Sequence, residues 1–183
     1  MSAFRIAPVE PGTRPQVADI EARIMAARGR ITPLYQVLLN SPPVVEGWEA
    51  MLTAIRRKTS LAPRLRELVI LRVAVLNRAP YEFEAHVPHA RAAGLTDEVI
   101  EGLRTYAAPD AVQGLSAEER DVLALTDAMT RDIEVPDALH EELKRHFDDR
   151  AVVEITVLAG AYNMHTRVAR ALRIDIEPAQ QPG

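Results

Sequence analysis

The sequence predicts an all-α protein, and two observations carry that expectation. Apolar residues recur at three- and four-residue spacing along most of the chain, and no alternating run of four or more β-branched residues bounded by turns occurs. Proline, glycine and capping residues cut this helical pattern into segments.

Residues 1–15 read as an extended arm, because Pro8, Pro11 and Pro15 each lack a backbone donor. Such an arm is expected to wrap over a neighbour or fray. Over 16–28, Val17, Ile20, Ile24 and Met25 fall at helical spacing before Gly29 supplies a stop. A helix is expected over 33–39 and another after Ser41, with Val44, Trp48, Met51, Leu52 and Ile55 on one face and Trp48 as a core anchor. Over 62–77 the residues Leu65, Leu68, Val69, Ile70, Leu71, Val73, Ala74, Val75 and Leu76 leave almost no polar face, so this helix should be central and buried. Pro80 restarts the chain at the favoured first-turn position for a helix over 81–93, closed by Gly94 as a left-handed cap.

A short helix over 96–103, opened by Thr96, precedes a linker over 107–114 punctuated by Pro109 and Gly114. Ser116 and Glu119 form a capping box, with Val122, Leu123, Leu125 and Met129 as the buried stripe behind it. Helices over 136–147 and 150–172 complete the fold. The organisation expected is therefore the arm, one helical domain over 16–176 and a loose tail over 177–183. Glu67 and Glu154, each in an early turn of a strongly apolar helix, suggest an internal pseudo-repeat.

Length and composition fit this picture. The 183 residues are 48% hydrophobic and 26% charged, too apolar for a disordered chain and enough for a real core. With 22 basic and 26 acidic residues the net charge is −4, and aromatic residues make up 4%, so neither a basic stripe nor a stacking platform for nucleic acid is present. Cysteine is absent, which excludes disulfides, thiolate metal sites and every thiol-based mechanism. The first residues have no apolar signal core and no long apolar run follows, so a cytoplasmic protein without membrane partners is expected.

One set of residues stands out chemically. Glu67 is an acid on the most apolar helix; it either bonds Arg64 or Arg66 at the helix end or is functional. Glu82, His86 and His89 stand at i, i+4 and i+7, on one helical face. An imidazole with a carboxylate one turn away suits general acid–base chemistry, while a solvated charged face with an ordinary i, i+4 pair is the alternative. The same Glu82 and His86 could also supply two metal ligands, with a third from elsewhere. Pro88 should kink the helix between the histidines, so that His89 points elsewhere. Tyr35 and Tyr81 are candidate pocket walls, Arg78 a candidate anion clamp, and His165 on the closing helix a further residue able to face the site. His140 and His146 lie in a charged helix and receive no role.

The stretch RLRELVILRVAVLNRAPYEFEAHVPHARAAGLTDEVIEGL resembles the core of the carboxymuconolactone decarboxylase family, within the alkylhydroperoxidase D superfamily, and DRAVVEITVLAGAYNMHTRVARALRI is similar to the closing helix of its longer members. In the redox members of that family an acid is followed after eleven residues by a cysteine, after two more by a second cysteine and after three more by a histidine. On this sequence Glu67 takes the acid position and His86 the histidine position, while Ala79 and Glu82 replace the two cysteines. The resemblance thus implies an alkylhydroperoxidase D-like helical bundle without thiol peroxidase activity. It points instead to the cysteine-free branch, which acts on lactone acids of aromatic catabolism without a redox cofactor. Glu67, Glu82 and His86 would be catalytic, with Tyr81, His89, Arg78, Tyr35 and His165 binding a small carboxylated or lactone substrate and no metal. The same resemblance implies a homo-oligomer, a dimer, trimer or hexamer. The alternative is a protein of redox lineage that lost its thiols and serves as a binding or assembly module.

Overall fold

The computed structural model describes residues 4–105 and 107–174, so the expected tail over 177–183 lies outside the described residues. Among them are nine α-helices and two short 3-10 turns, and no strand, as the helical periodicity predicts. They fall into two compact units: the first runs to Lys58 and includes the residues from Ala169, and the second runs from Thr59 to Val168.

The first unit holds α1 (Ala18–Arg28), α2 (Pro33–Leu38) and α3 (Pro42–Arg57). Gly29 closes α1 in the left-handed conformation, φ 75°, where a side chain would be strained, and its N–H bonds the Met25 carbonyl. The preceding arm is extended but anchored to its own chain. Val9 is buried and donates its N–H to the Gln36 carbonyl, Asn40 bonds the Ala7 carbonyl, and the Gly12 N–H bonds Glu21. The inward stripe of α3 is Val45, Trp48, Leu52 and Ile55; Val44 and Met51, expected inside, are exposed, as is Met25 of α1. Steps of three, four and three residues keep that stripe on one line, and Val44 and Met51 each fall one residue, hence about 100°, off it.

Within this unit Glu49 is a buried knot. Its carboxylate accepts from Arg28 Nε at 2.6 Å, from the Tyr35 hydroxyl and from the Thr53 hydroxyl, while the Arg28 guanidinium lies 4.8 Å over the Tyr35 ring. Burial alone would raise the Glu49 pKa, but these three donors and the Arg28 charge outweigh it and hold the group below the usual carboxylate range.

The second unit is built round α4 (Pro63–Leu76), which packs on α5 (Pro80–Ala92), α6 (Asp97–Arg104) and α7 (Ala117–Arg131); α8 (Asp137–His146) packs on α7. The long α9 (Asp149–Leu172) contributes its residues to Val168. Leu68, Val69, Ile70, Leu71, Val73 and Ala74 are wholly buried, so α4 is the central helix its composition predicts. At its C-terminus the chain turns sharply through Arg78, at φ 53°, where the Ala79 N–H bonds the Ala74 carbonyl and Pro80 starts α5 in its first turn. This short corner folds α5 back along α4. Ser116 and Glu119 form the expected capping box of α7, and Gly94 is left-handed at φ 88°.

Two polar fastenings hold α4 in place. Arg72, 0% exposed, makes a bidentate pair with Asp127 of α7, both contacts 2.5 Å, and donates its third nitrogen to the Ala107 carbonyl at 2.9 Å. Asn77 donates to Asn163 and Thr166 of α9, and Asn163 donates in turn to Thr130 of α7. The proposed pseudo-repeat acids differ in environment: Glu67 is buried, whereas Glu154 accepts from the backbone and hydroxyl of Ser60 and from Arg150.

Removing one partner of the Arg72–Asp127 pair strands a buried guanidinium. Asp127→Ala is therefore expected to lower the unfolding free energy by about 3–5 kcal/mol, a cost typical of orphaning a buried charge. Urea titration of both proteins measures it, and a loss below about 1 kcal/mol would show the pair to be dispensable.

Candidate functional site

The second unit gathers titratable side chains from three helices. Glu67 projects from the second turn of α4, which is so apolar that a carboxylate there needs a partner. That partner is neither Arg64 nor Arg66. Arg64 is committed to Glu119, at 2.6 Å, and to the Gly94 carbonyl, whereas Glu67 Oε2 lies 2.7 Å from His86 Nδ1 on α5. One turn earlier on α5, Glu82 Oε1 stands 3.3 Å from His86 Nε2, the i, i+4 neighbour expected from the spacing. Both ring nitrogens of His86 therefore face carboxylates.

The wall beyond the ring comes from α9. Tyr162 presents its ring edge-on to His86, centroids 5.6 Å apart and planes at 88°, and His165 stacks obliquely on Tyr162. His165 Nδ1 is 3.6 Å from the same Glu82 Oε1 that His86 faces. Glu67 and His86 are the most buried of the row, with side chains 7% and 6% exposed, against 13% for Glu82 and 17% for His165.

These surroundings set the charge of the imidazole. Burial is the largest single influence on His86 and lowers its pKa, yet hydrogen bonds to Glu67 and Glu82 and their two negative charges together outweigh it, so the pKa lies above the ordinary histidine value. In the protonated ring Nδ1 donates to Glu67 while Nε2 faces Glu82. Among the described residues no group of three or more His, Cys, Asp or Glu is placed to hold a metal ion.

The other sequence candidates lie differently. His89 is exposed, with its ring centroid 5.6 Å from that of His86, and α5 continues through Pro88 to Ala92. Tyr81 is half-buried on the first turn of α5. Arg78 is exposed at the corner before α5. Tyr35 belongs to the first unit, where its hydroxyl is given to Glu49. Tyr162 was not singled out from sequence; its place three residues before His165, on the same face of α9, was the available signal. His146, assigned no role, stands 3.4 Å from Asp121.

A raised His86 pKa links folding to pH with a definite sign. The folded protein holds a proton that the unfolded chain releases near 6.5, so this stabilisation is complete below that value and disappears as pH rises through the higher folded value. Glu49, Glu119 and Glu154, whose pKa values are depressed on folding, contribute oppositely, losing their stabilisation as pH falls through their folded values. The melting temperature should consequently be highest in mildly acidic solution, and His86→Gln should flatten its fall on the alkaline side. A variant whose alkaline slope equals that of the wild type would contradict this assignment of the charge.

Comparison with known proteins bears on the same residues. The Carboxymuconolactone decarboxylase family profile matches residues 42–129, a span that contains Glu67, Glu82 and His86. An uncharacterised Bacillus subtilis (strain 168) protein, YdfG, is 26% identical over 118 residues, 63% of this chain and 78% of that protein. The crystal structure of an Agrobacterium tumefaciens protein of unknown function, whose description connects it with the antioxidant defence protein AhpD, superposes with a TM-score of 0.67. It is 28% identical and covers 80% of this chain and 95% of its own. An alkylhydroperoxidase AhpD core protein from Ralstonia eutropha JMP134, 17% identical, shares the fold with a TM-score of 0.78 over 98% of this chain and 94% of its own. With Glu67 and His86 joined at 2.7 Å and no cysteine in the chain, the protein is similar over residues 42–129 to the carboxymuconolactone decarboxylase family and has the AhpD-like helical fold.

Proposed function

We propose that this protein is a cofactor-independent lyase or isomerase that moves a proton on a small carboxylated or lactone substrate. The observation that supports this most directly is the row Glu67, His86, Glu82, in which a buried carboxylate fixes the imidazole tautomer and a second carboxylate receives its other nitrogen. Glu67 orients and charges the ring. His86 stores the proton, and Glu82, more exposed than either, is the carboxylate that presents it to the substrate. In a decarboxylation the electron pair of the breaking carbon–carbon bond stays on the substrate, carbon dioxide leaves, and that carbon takes the proton. In an isomerisation the same pair removes a proton from one carbon and returns it to another.

Thiol peroxidase chemistry is not part of this proposal. Ala79 and Glu82 occupy the positions of the two redox cysteines, and neither side chain can be oxidised by a peroxide and recycled by a thiol. The family match over residues 42–129 and the geometry of the acid–base row support the reaction class.

We also propose that the protein acts as a homo-oligomer. Val153 and Val157 stand one turn apart on α9 and are 59% and 46% exposed, which places an apolar face in solvent on a long helix. A second copy is the occupant proposed for that face, as the resemblance to oligomeric relatives implies.

A screen of lactone acids, keto acids and hydroperoxides tests the activity. Turnover is expected only among the carboxylated substrates, and His86→Gln or Glu82→Gln should lower kcat by about a hundredfold or more. Hydroperoxide reduction at a comparable rate, or full activity in both variants, would overturn the reading. Light scattering coupled to gel filtration tests the assembly. A single peak at a multiple of 20.3 kDa is expected at micromolar loading, and Val157→Glu should shift it toward the monomer; a wild-type monomer would refute the proposal.

A further inference from the structure

Glu82 faces two imidazoles. Its Oε1 lies 3.3 Å from His86 Nε2 on its own helix and 3.6 Å from His165 Nδ1 on α9. A single carboxylate oxygen approached by two ring nitrogens from different helices sets those nitrogens in competition for it. Whichever ring carries the extra proton takes the stronger charge-assisted contact, and the other is repelled by it.

We propose that Glu82 couples His86 to His165, making His165 the outer station of a relay that exchanges protons between the buried His86 and solvent. The rising exposure from His86 through Glu82 to His165, 6%, 13% and 17%, gives the row a direction. Two sides of His86 are closed. Its Nδ1 is held by Glu67, which is itself buried within α4, and Tyr162 covers the ring edge-on. Tyr162 packs against both imidazoles, with centroids 5.6 Å from each.

The steps balance without a co-reactant. After His86 has given a proton outward through Glu82, the neutral ring keeps its Nδ1 proton toward Glu67. His165 then takes a proton from solvent and passes it to the Glu82 carboxylate, which returns it to His86 Nε2. The gap of 3.6 Å exceeds a hydrogen bond, so this passage needs a small rotation of the His165 ring or one bridging water. The titratable groups facing the pair are Glu67 from α4, Glu82 and His89 from α5, and Tyr162 from α9. His165 is thus a positioning and relay residue; it deepens the acid–base reading above and rests on it for its catalytic meaning.

Nitrogen-resolved NMR titration of the histidine side chains tests the coupling without any substrate. In the wild type the two imidazoles should titrate as an interacting pair, each curve broadened or split into two steps. Glu82→Gln should lower the titration midpoints of both rings, by about one pH unit, because both lose the same negative neighbour. His165→Gln should convert His86 to a single step at higher pH, since Glu82 then serves one ring. Should that variant unfold, the wild-type curves and Glu82→Gln decide the matter alone. Independent one-step curves, with His165 unmoved by Glu82→Gln, would overturn the proposal. The two readings fail separately: coupled titration without turnover of any carboxylated substrate removes the enzymatic assignment and leaves the relay, whereas turnover with uncoupled histidines removes the relay alone. Where turnover is found, His165→Gln should lower kcat more than it changes KM and should shift the pH profile.

Discussion

The burial of α4 on every side is the constraint on which the second unit depends. A helix with wholly buried residues round its circumference leaves Glu67 and Arg72 no route to water, so each must find its partner on a neighbouring helix. Arg72 finds Asp127 on α7 and Glu67 finds His86 on α5. Asn77, at the end of the helix, finds Asn163 and Thr166 on α9. These pairings differ in kind, since the first is a permanent ion pair and the third is neutral. Only the second can change its protonation near neutral pH, and that separates the candidate site from the scaffold.

A carboxylate beside the buried imidazole sets the chemistry available in this frame. Glu67 and His86 are joined across α4 and α5, and Glu82 stands at the other ring nitrogen. A thiol pair carries electrons, whereas a carboxylate beside an imidazole carries protons. The electrostatic balance follows from that arrangement. Burial works against a charged His86, two flanking carboxylates work for it, and the carboxylates prevail. With a thiol in place of Glu82 the same imidazole would have one fewer full negative charge beside it.

The first unit meets a buried carboxylate in a different way. Glu49 receives three donors, from Arg28, Tyr35 and Thr53, and those contacts hold it ionised. Tyr35 is correspondingly pushed well above the usual tyrosine range, first by its own burial and then by its hydrogen bond to Glu49. A carboxylate saturated with donors at fixed distances acts as a structural fastening, and its environment offers no exchanging proton near neutrality. Glu67 contrasts with it because its partner is itself titratable. Both are glutamates on the buried side of a helix, and their different capacities come from the residues opposite.

Much of this was determined by the sequence alone. The helical periodicity, the prolines at helix starts, the glycines at 29 and 94 and the Ser116–Glu119 capping box are local signals, so the element order and most boundaries were legible without a fold. So was the shared face of Glu82 and His86, because four residues make one turn. Local spacing could not say which way a helix turns when two apolar stripes compete, and Val44 and Met51 accordingly proved exposed beside the buried Val45 and Leu52. Nor could it choose between Arg64 and His86 as the partner of Glu67: the arginine is closer in sequence, and only the packing of α5 along α4, through the corner at Arg78, brings the imidazole to 2.7 Å. The approach of His165 and Tyr162 was likewise a tertiary decision, since residues more than seventy positions from His86 meet its surroundings only when α9 closes over α5. A sequence specifies the faces of its elements through short-range periodicity, whereas contacts between faces depend on how whole helices cover one another's apolar surface.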